Sequence, residues 1–173
     1  MIISITDLKK QVNCGTDTDD MITTRLEAIE SVIRTYTHNN FQVRAVRIIG
    51  NSSDMDVYGV PQFFTTGDTV EISQSGVNDG LYTVTQIATD HIRLNRYLNE
   101  VDFNVVTKVA YPADVIQCAV DLYRWKQNMG DKVGIKSETI SRHSVTYEDS
   151  GTLFMGYPVG ILKGLSIHKK ARC

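Results

Sequence analysis

Three acidic clusters are the residues best placed by type and spacing to do chemistry: Asp17, Asp19 and Asp20; Asp54 and Asp56; and Glu148 with Asp149. Paired carboxylates can share a proton or hold a cation, but acid–base work needs burial or a charged neighbour to shift a pKa. All three clusters fall in polar stretches, so solvated carboxylates are the expectation. Asp17-Thr18-Asp19-Asp20 starts like a calcium loop but lacks the glycine and the distal glutamate such a loop requires. Charge at the positive end of a helix accounts for it better. Cys118 with a remote histidine could be drawn as nucleophile and base. Its neighbours Ile116, Ala119 and Leu122 place it instead on an apolar helix face, where a thiol packs as a small hydrophobe. Cys14, Cys118 and Cys173 form no CxxC pair, and His38, His91, His143 and His168 are equally scattered. Without a phosphate-cradling glycine loop either, the reading is a chain with no catalytic centre, no metal site and no cofactor.

The elements that carry these residues change character along the chain. Thr6 is a candidate N-cap for a short helix with Leu8 and Val12 on one side, closed by Asn13-Cys14-Gly15. Asp17, Asp19 and Asp20 lead into a second helix, where Ile22, Leu26, Ile29 and Ile33 make an apolar stripe of helical period. Between Phe41 and Tyr111 that period vanishes. Val43 to Ile49, Thr69 to Ser73, Leu81 to Ile87, His91 to Asn95 and Asn104 to Ala110 read as five strands, with a turn at Val77-Asn78-Asp79-Gly80. Pro112 opens a third helix carrying Val115, Ile116, Ala119 and Leu122, and Pro158 begins a last one with Ile161, Leu162 and Leu165. The fold class expected is α+β. A small helical bundle from residues 1–40 and 111–173 carries an inserted five-stranded β-barrel-like domain over residues 41–110 and an extended C-terminal arm.

That arm is Gly134 to Tyr147, a polar run with Ile140 and Val145 as its few apolar side chains. So little hydrophobic surface cannot fold alone and needs a sheet or a neighbouring subunit. Charge is uneven too. The net is −2, yet residues 123–173 hold nine Lys/Arg against four Asp/Glu. Lys163, Lys169, Lys170 and Arg172 end the chain either as a solvated helix terminus or as a patch for an acidic partner or DNA phosphates. Neither a signal peptide nor an apolar run of membrane-spanning length is read, so the expectation is a chain made in the cytoplasm and soluble until it assembles.

The order of Ser-Ile-Thr-Asp-Leu-Lys-Lys, an Asp-rich lead into a striped helix, a Pro-started helix and Gly-Ile-Lys-Ser-Glu-Thr-Ile-Ser-Arg-His-Ser-Val-Thr-Tyr resembles the head–tail connector (adaptor, or head-completion) proteins of long-tailed bacteriophages. The likeness covers about residues 4–38 and 111–170. It implies a structural virion protein at the head–tail interface: a homo-oligomeric ring, usually of twelve subunits, docked beneath the portal protein. Such a ring extends the channel for passing double-stranded DNA, without sequence recognition, and presents a surface to the next connector or tail-terminator protein. By position, Ser137, Ile140, Arg142, Val145 and Tyr147 would belong to the inter-subunit arm. Tyr157, Pro158, Ile161, Leu162, Leu165, Lys169, Lys170 and Arg172 would form the portal-facing segment. On that reading the negative N-terminal and insert parts include the channel wall, and deleting residues 158–173 abolishes portal attachment while leaving the subunit fold intact.

The alternative is a single-stranded nucleic-acid-binding module, with Tyr82, His91, Arg93, Arg96 and Tyr97 offering rings and cations on the small barrel. Charge speaks against it, because residues 41–122 hold five basic and ten acidic residues and a phosphate-binding barrel should be positive.

Overall fold

The computed structural model describes residues 1–129, 137–140, 143–146 and 153–171. Over these described residues the fold is mixed α+β, with four α-helices and a principal sheet of four antiparallel strands. The chain divides into two compact units, one of Met1 with Asn40–Tyr111 and the other of Ile2–Asn39 with Pro112–Cys173. Among the described residues no helix is long and apolar enough to cross a membrane.

In the helical unit, α1 spans Ile5–Gln11 and its N-cap is Ser4, not Thr6. The Ser4 hydroxyl accepts from the Asp7 N–H at 3.1 Å and donates to the Asp7 carboxylate at 2.7 Å. This reciprocal arrangement fixes the start two residues earlier than the hydrophobic pattern suggests. Helix α2, Asp19–Thr37, is capped by Thr18, whose hydroxyl accepts from the Met21 N–H. Ile22, Leu26, Ile29 and Ile33 are all fully buried, as their spacing requires. His38, in the left-handed conformation, ends the helix. Helix α3, Ala113–Met129, starts on Pro112, whose carbonyl accepts from the N–H groups of Val115 and Ile116. It buries Val115, Ala119, Leu122 and Tyr123.

Beyond α3, strands β5 (Ser137–Ile140) and β6 (His143–Thr146) pair antiparallel as a sheet of their own. The segment expected to be a single extended arm is therefore a hairpin over its described residues. Its strands pair Ser137 with Thr146 and Ile140 with His143, so much of its backbone bonding is local. A second short hairpin joins β7 (Leu153–Phe154) to β8 (Tyr157–Pro158) through Met155 and Gly156, both at positive φ. That geometry matches the tight turn whose twist suits a two-residue hairpin. Pro158 is the N-cap of α4, Val159–Leu162, which runs on into a 3-10 helix, Lys163–His168.

The β unit has β1 (Gln42–Tyr58), β2 (Thr69–Ser73), β3 (Gly80–Ile87) and β4 (His91–Val109). The expected count of five strands is not met. The stretches His91 to Asn95 and Asn104 to Ala110 are two ends of one 19-residue strand. Its polar middle reads as a loop in sequence but pairs with the equally polar middle of β1, Ser52 opposite Val101 and Asp54 opposite Leu98. Register shifts between Gly50 and Asp56 bend this long pair, with Asp54 at φ 61°. The C-terminal half of β4 also bonds β2, the N-terminal half also bonds β3, and β2 bonds β3. The result is a strongly curled sheet around Ile48, Val57, Val70, Ile72, Ile92, Leu94 and Val106; no closed barrel is found. The bend brings the C-terminal end of β1 back against its own middle. A Cβ on Gly50 would lie 1.9 Å from the Tyr58 carbonyl oxygen, so only glycine fits there.

The expected turn at Asn78 also has a different basis. Positive φ falls on Gln74, Gly76 and Gly80, while Asn78 is buried. Its amide nitrogen donates to the Asn99 carbonyl at 2.9 Å and to the Ser52 hydroxyl at 3.1 Å, and its side-chain oxygen accepts from the Asn99 N–H at 2.8 Å. Asn78 thus staples the β2–β3 turn to the middle of the long β1–β4 pair.

Candidate assembly site

The C-terminal residues assigned to docking split into two groups. Tyr157 and Pro158 are buried, Leu162 has no exposure and Leu165 only 2%. The Tyr157 ring tilts against Trp125 of α3 at 6.1 Å, and burial raises its phenol pKa. Ile161 is half-buried, and its carbonyl accepts from the Cys118 thiol. These residues are core of the helical unit. They correct the expectation that residues 158–173 form a detachable segment: these leucines are buried in covering α3.

The other group is exposed. Lys169 lies over the Tyr36 ring at 3.9 Å, and that ring meets Phe154 edge-on at 5.5 Å. The Lys170 side chain is in solvent, although its N–H donates to the Thr37 carbonyl at 2.9 Å. Arg172 lies outside the described residues. Two further contacts, neither legible from local spacing, hold this end down. The Asn39 amide donates to the His168 carbonyl, and the His168 ring nitrogen Nε2 sits 2.6 Å from the Asp114 carboxylate. That hydrogen bond from His168 holds the Asp114 carboxyl below its ordinary pKa. Beyond them stands Ile167, 78% exposed.

Of the arm residues, Ser137 and Ile140 lie on β5 and Val145 on β6, while Arg142 and Tyr147 fall outside the described residues. The backbone pairing brings Ser137 and Ile140 into one hairpin with Val145, which is opposite Glu138.

The carboxylates expected to be solvated are not uniformly so. Asp56 is buried and takes two hydrogen bonds of 2.8 Å from the Arg93 guanidinium, which lowers its pKa. Asp17 accepts from the Tyr123 hydroxyl at 2.7 Å and pairs with Arg25. Both arrangements are ion pairs that tie separate elements together. Cys118 is buried with its thiol pushed up to about 12 by desolvation, the state of an inert core thiol. Among the described residues no group of three or more His, Cys, Asp or Glu could hold a metal ion.

The nucleic-acid candidates are dispersed by the same accounting. Arg93 is committed to Asp56, and His91 is tilted against Tyr58 with a ring nitrogen 2.9 Å from Asp90. Arg96 covers the Tyr82 ring at 4.9 Å, and the Tyr82 hydroxyl donates to the Asn78 carbonyl. Only Tyr97, 78% exposed, presents an open face among these five. Comparison with protein-family models and with curated proteins finds no match to this chain.

Proposed function

We propose that this chain is a structural subunit of a ring between the portal and the tail of a bacteriophage particle, linking head to tail and extending the DNA channel. One observation carries the reading: among the described residues the β5–β6 hairpin forms a sheet of two four-residue strands. Such a pair is marginal in water and needs a further strand or a packed layer. A neighbouring subunit supplies it, and repetition of that head-to-tail contact closes a ring, of twelve copies in the connector family the sequence resembles. The portal-facing role then falls on the exposed residues Lys163, Ile167, Lys169 and Lys170, the leucines beside them being core.

The test replaces residues 137–146 with a flexible linker of equal length and images assemblies formed with the portal protein. The helical unit keeps its helical circular dichroism, because the hairpin's ladder is its own, and rings on the portal are lost. Rings formed as well as by the unaltered chain would overturn the reading. The nucleic-acid alternative is separated by a salt-dependent shift assay with single-stranded oligonucleotides, in which no retention is expected because four of the five candidate side chains are already engaged.

A further inference from the structure

We propose that, before it assembles, the free chain pairs with a second copy of itself through the face formed by α3, α4 and the 3-10 helix. Ile167 of each copy enters a groove beside Cys118 of the other. The groove has a volume of about 300 Å³, floored by Cys118, Ile161 and Leu165 and rimmed by Asp114, Gln117 and Asp121. That size is at the bottom of the range for small-molecule pockets and suits a side chain. Gly164 forms part of the wall, and a Cβ there would meet nothing within 4 Å, so the approach is open.

Chemistry selects a second copy as the occupant. With three residues per turn, Gly164 and Ile167 share one side of the 3-10 helix, so the exposed isoleucine stands one turn from the groove it would fill in a partner. Residues 113–121 contain Asp114 and Asp121 with no cation, and residues 163–171 contain Lys163, Lys169 and Lys170 with no acid. Local contacts answer part of this charge: His168 reaches Asp114, and Arg124 reaches Asp121 at 3.1 Å. Both carboxylates stay 39% or more exposed, and Lys163 and Lys170 enter no ion pair among the described residues. A patch with carboxylates lining the groove and exposed lysines on the segment that follows it can complement itself under a two-fold rotation. The rotation sets lysines against carboxylates twice and closes at two copies. The contact is small, which places it among weak, reversible associations. It would cover the exposed C-terminal face until a docking platform displaces it.

The experiment is sedimentation of the full chain, without portal, over a wide concentration series. The unaltered chain is expected to move from monomer to dimer as concentration rises. Ile167→Glu weakens the pair by about tenfold or more and leaves the circular dichroism unchanged. Lys170→Glu weakens it too, and adding Asp121→Lys restores it. A chain that stays monomeric throughout, a dimer that survives Ile167→Glu, or a charge swap without rescue would each overturn the proposal. None of these outcomes bears on ring formation, which is read on the portal.

Discussion

Truncation after Tyr157 unfolds the helical unit; it does not trim a docking tail from an intact subunit. The cut removes Leu162, which has no exposure, and Leu165, which has 2%. Emptying one buried leucine site costs about 2–5 kcal/mol. Losing two such side chains, together with the backbone that covers α3, therefore exceeds about 5 kcal/mol, against a total stability on the order of 5–15 kcal/mol for a domain. The tie from Asn39 to the His168 carbonyl and from the Lys170 N–H to the Thr37 carbonyl goes as well. Urea denaturation followed by far-ultraviolet circular dichroism reads the effect. Leu162→Ala should lower the midpoint markedly, the truncated chain should lose its cooperative helical transition, and Ile167→Ala, at an exposed position, should shift stability by no more than about 0.5 kcal/mol. If the truncated chain unfolded at the same urea concentration as the full one, the placement of these leucines in the core would be wrong.

Three further outcomes follow from particular contacts. Gly50→Ala forces a Cβ to 1.9 Å from the Tyr58 carbonyl oxygen, a backbone atom that cannot swing aside. It should destabilise the β unit by about 1–3 kcal/mol, measured as a lower thermal midpoint; an unchanged midpoint would refute the close approach. Asp56 has its carboxyl pKa lowered by Arg93. Its contribution is therefore present above the unfolded-state pKa of about 4 and fades as pH falls through the lower folded value. Denaturation between neutral and acidic pH should show that loss in the unaltered chain and a weaker one in Asp56→Asn; identical pH profiles would count against the pair. Cys118, with its thiol pushed up to about 12, should resist alkylation at pH 8 in native buffer and react once urea unfolds the chain. Rapid native labelling, located by mass spectrometry of peptides, would show it to be accessible.

What could be read in advance depended on how local its cause was. The α2 stripe was legible because Ile22, Leu26, Ile29 and Ile33 declare their shared face through spacing alone, and all four are fully buried. Val70 and Ile72 on β2 were legible by alternation, and both are in the core. The long strands were not. Ser52–Asp54 and Arg96–Asp102 look like loops because they are largely polar, and they are strand only because each supplies the other's partners across some 45 residues of chain. Ion pairs behave likewise: nothing near Asp56 announces Arg93, and nothing near Asp114 announces His168.

The C-terminal region shows the same logic at the site itself. Its charge pattern was visible, but not which apolar residues it would keep for itself. Pro158 and the leucines were read as a helix presenting a surface, whereas α3 has an apolar face too wide for α2 alone to cover, and α4 with the 3-10 helix is drawn onto it. Docking capacity is what remains after that internal demand is met. In this chain the remainder is Ile167 with three lysines, beside a groove of opposite charge. On the proposed self-pairing, a segment that completes its own core would be covered in the free chain and uncovered on assembly without unfolding, because only the exposed residues would change partners.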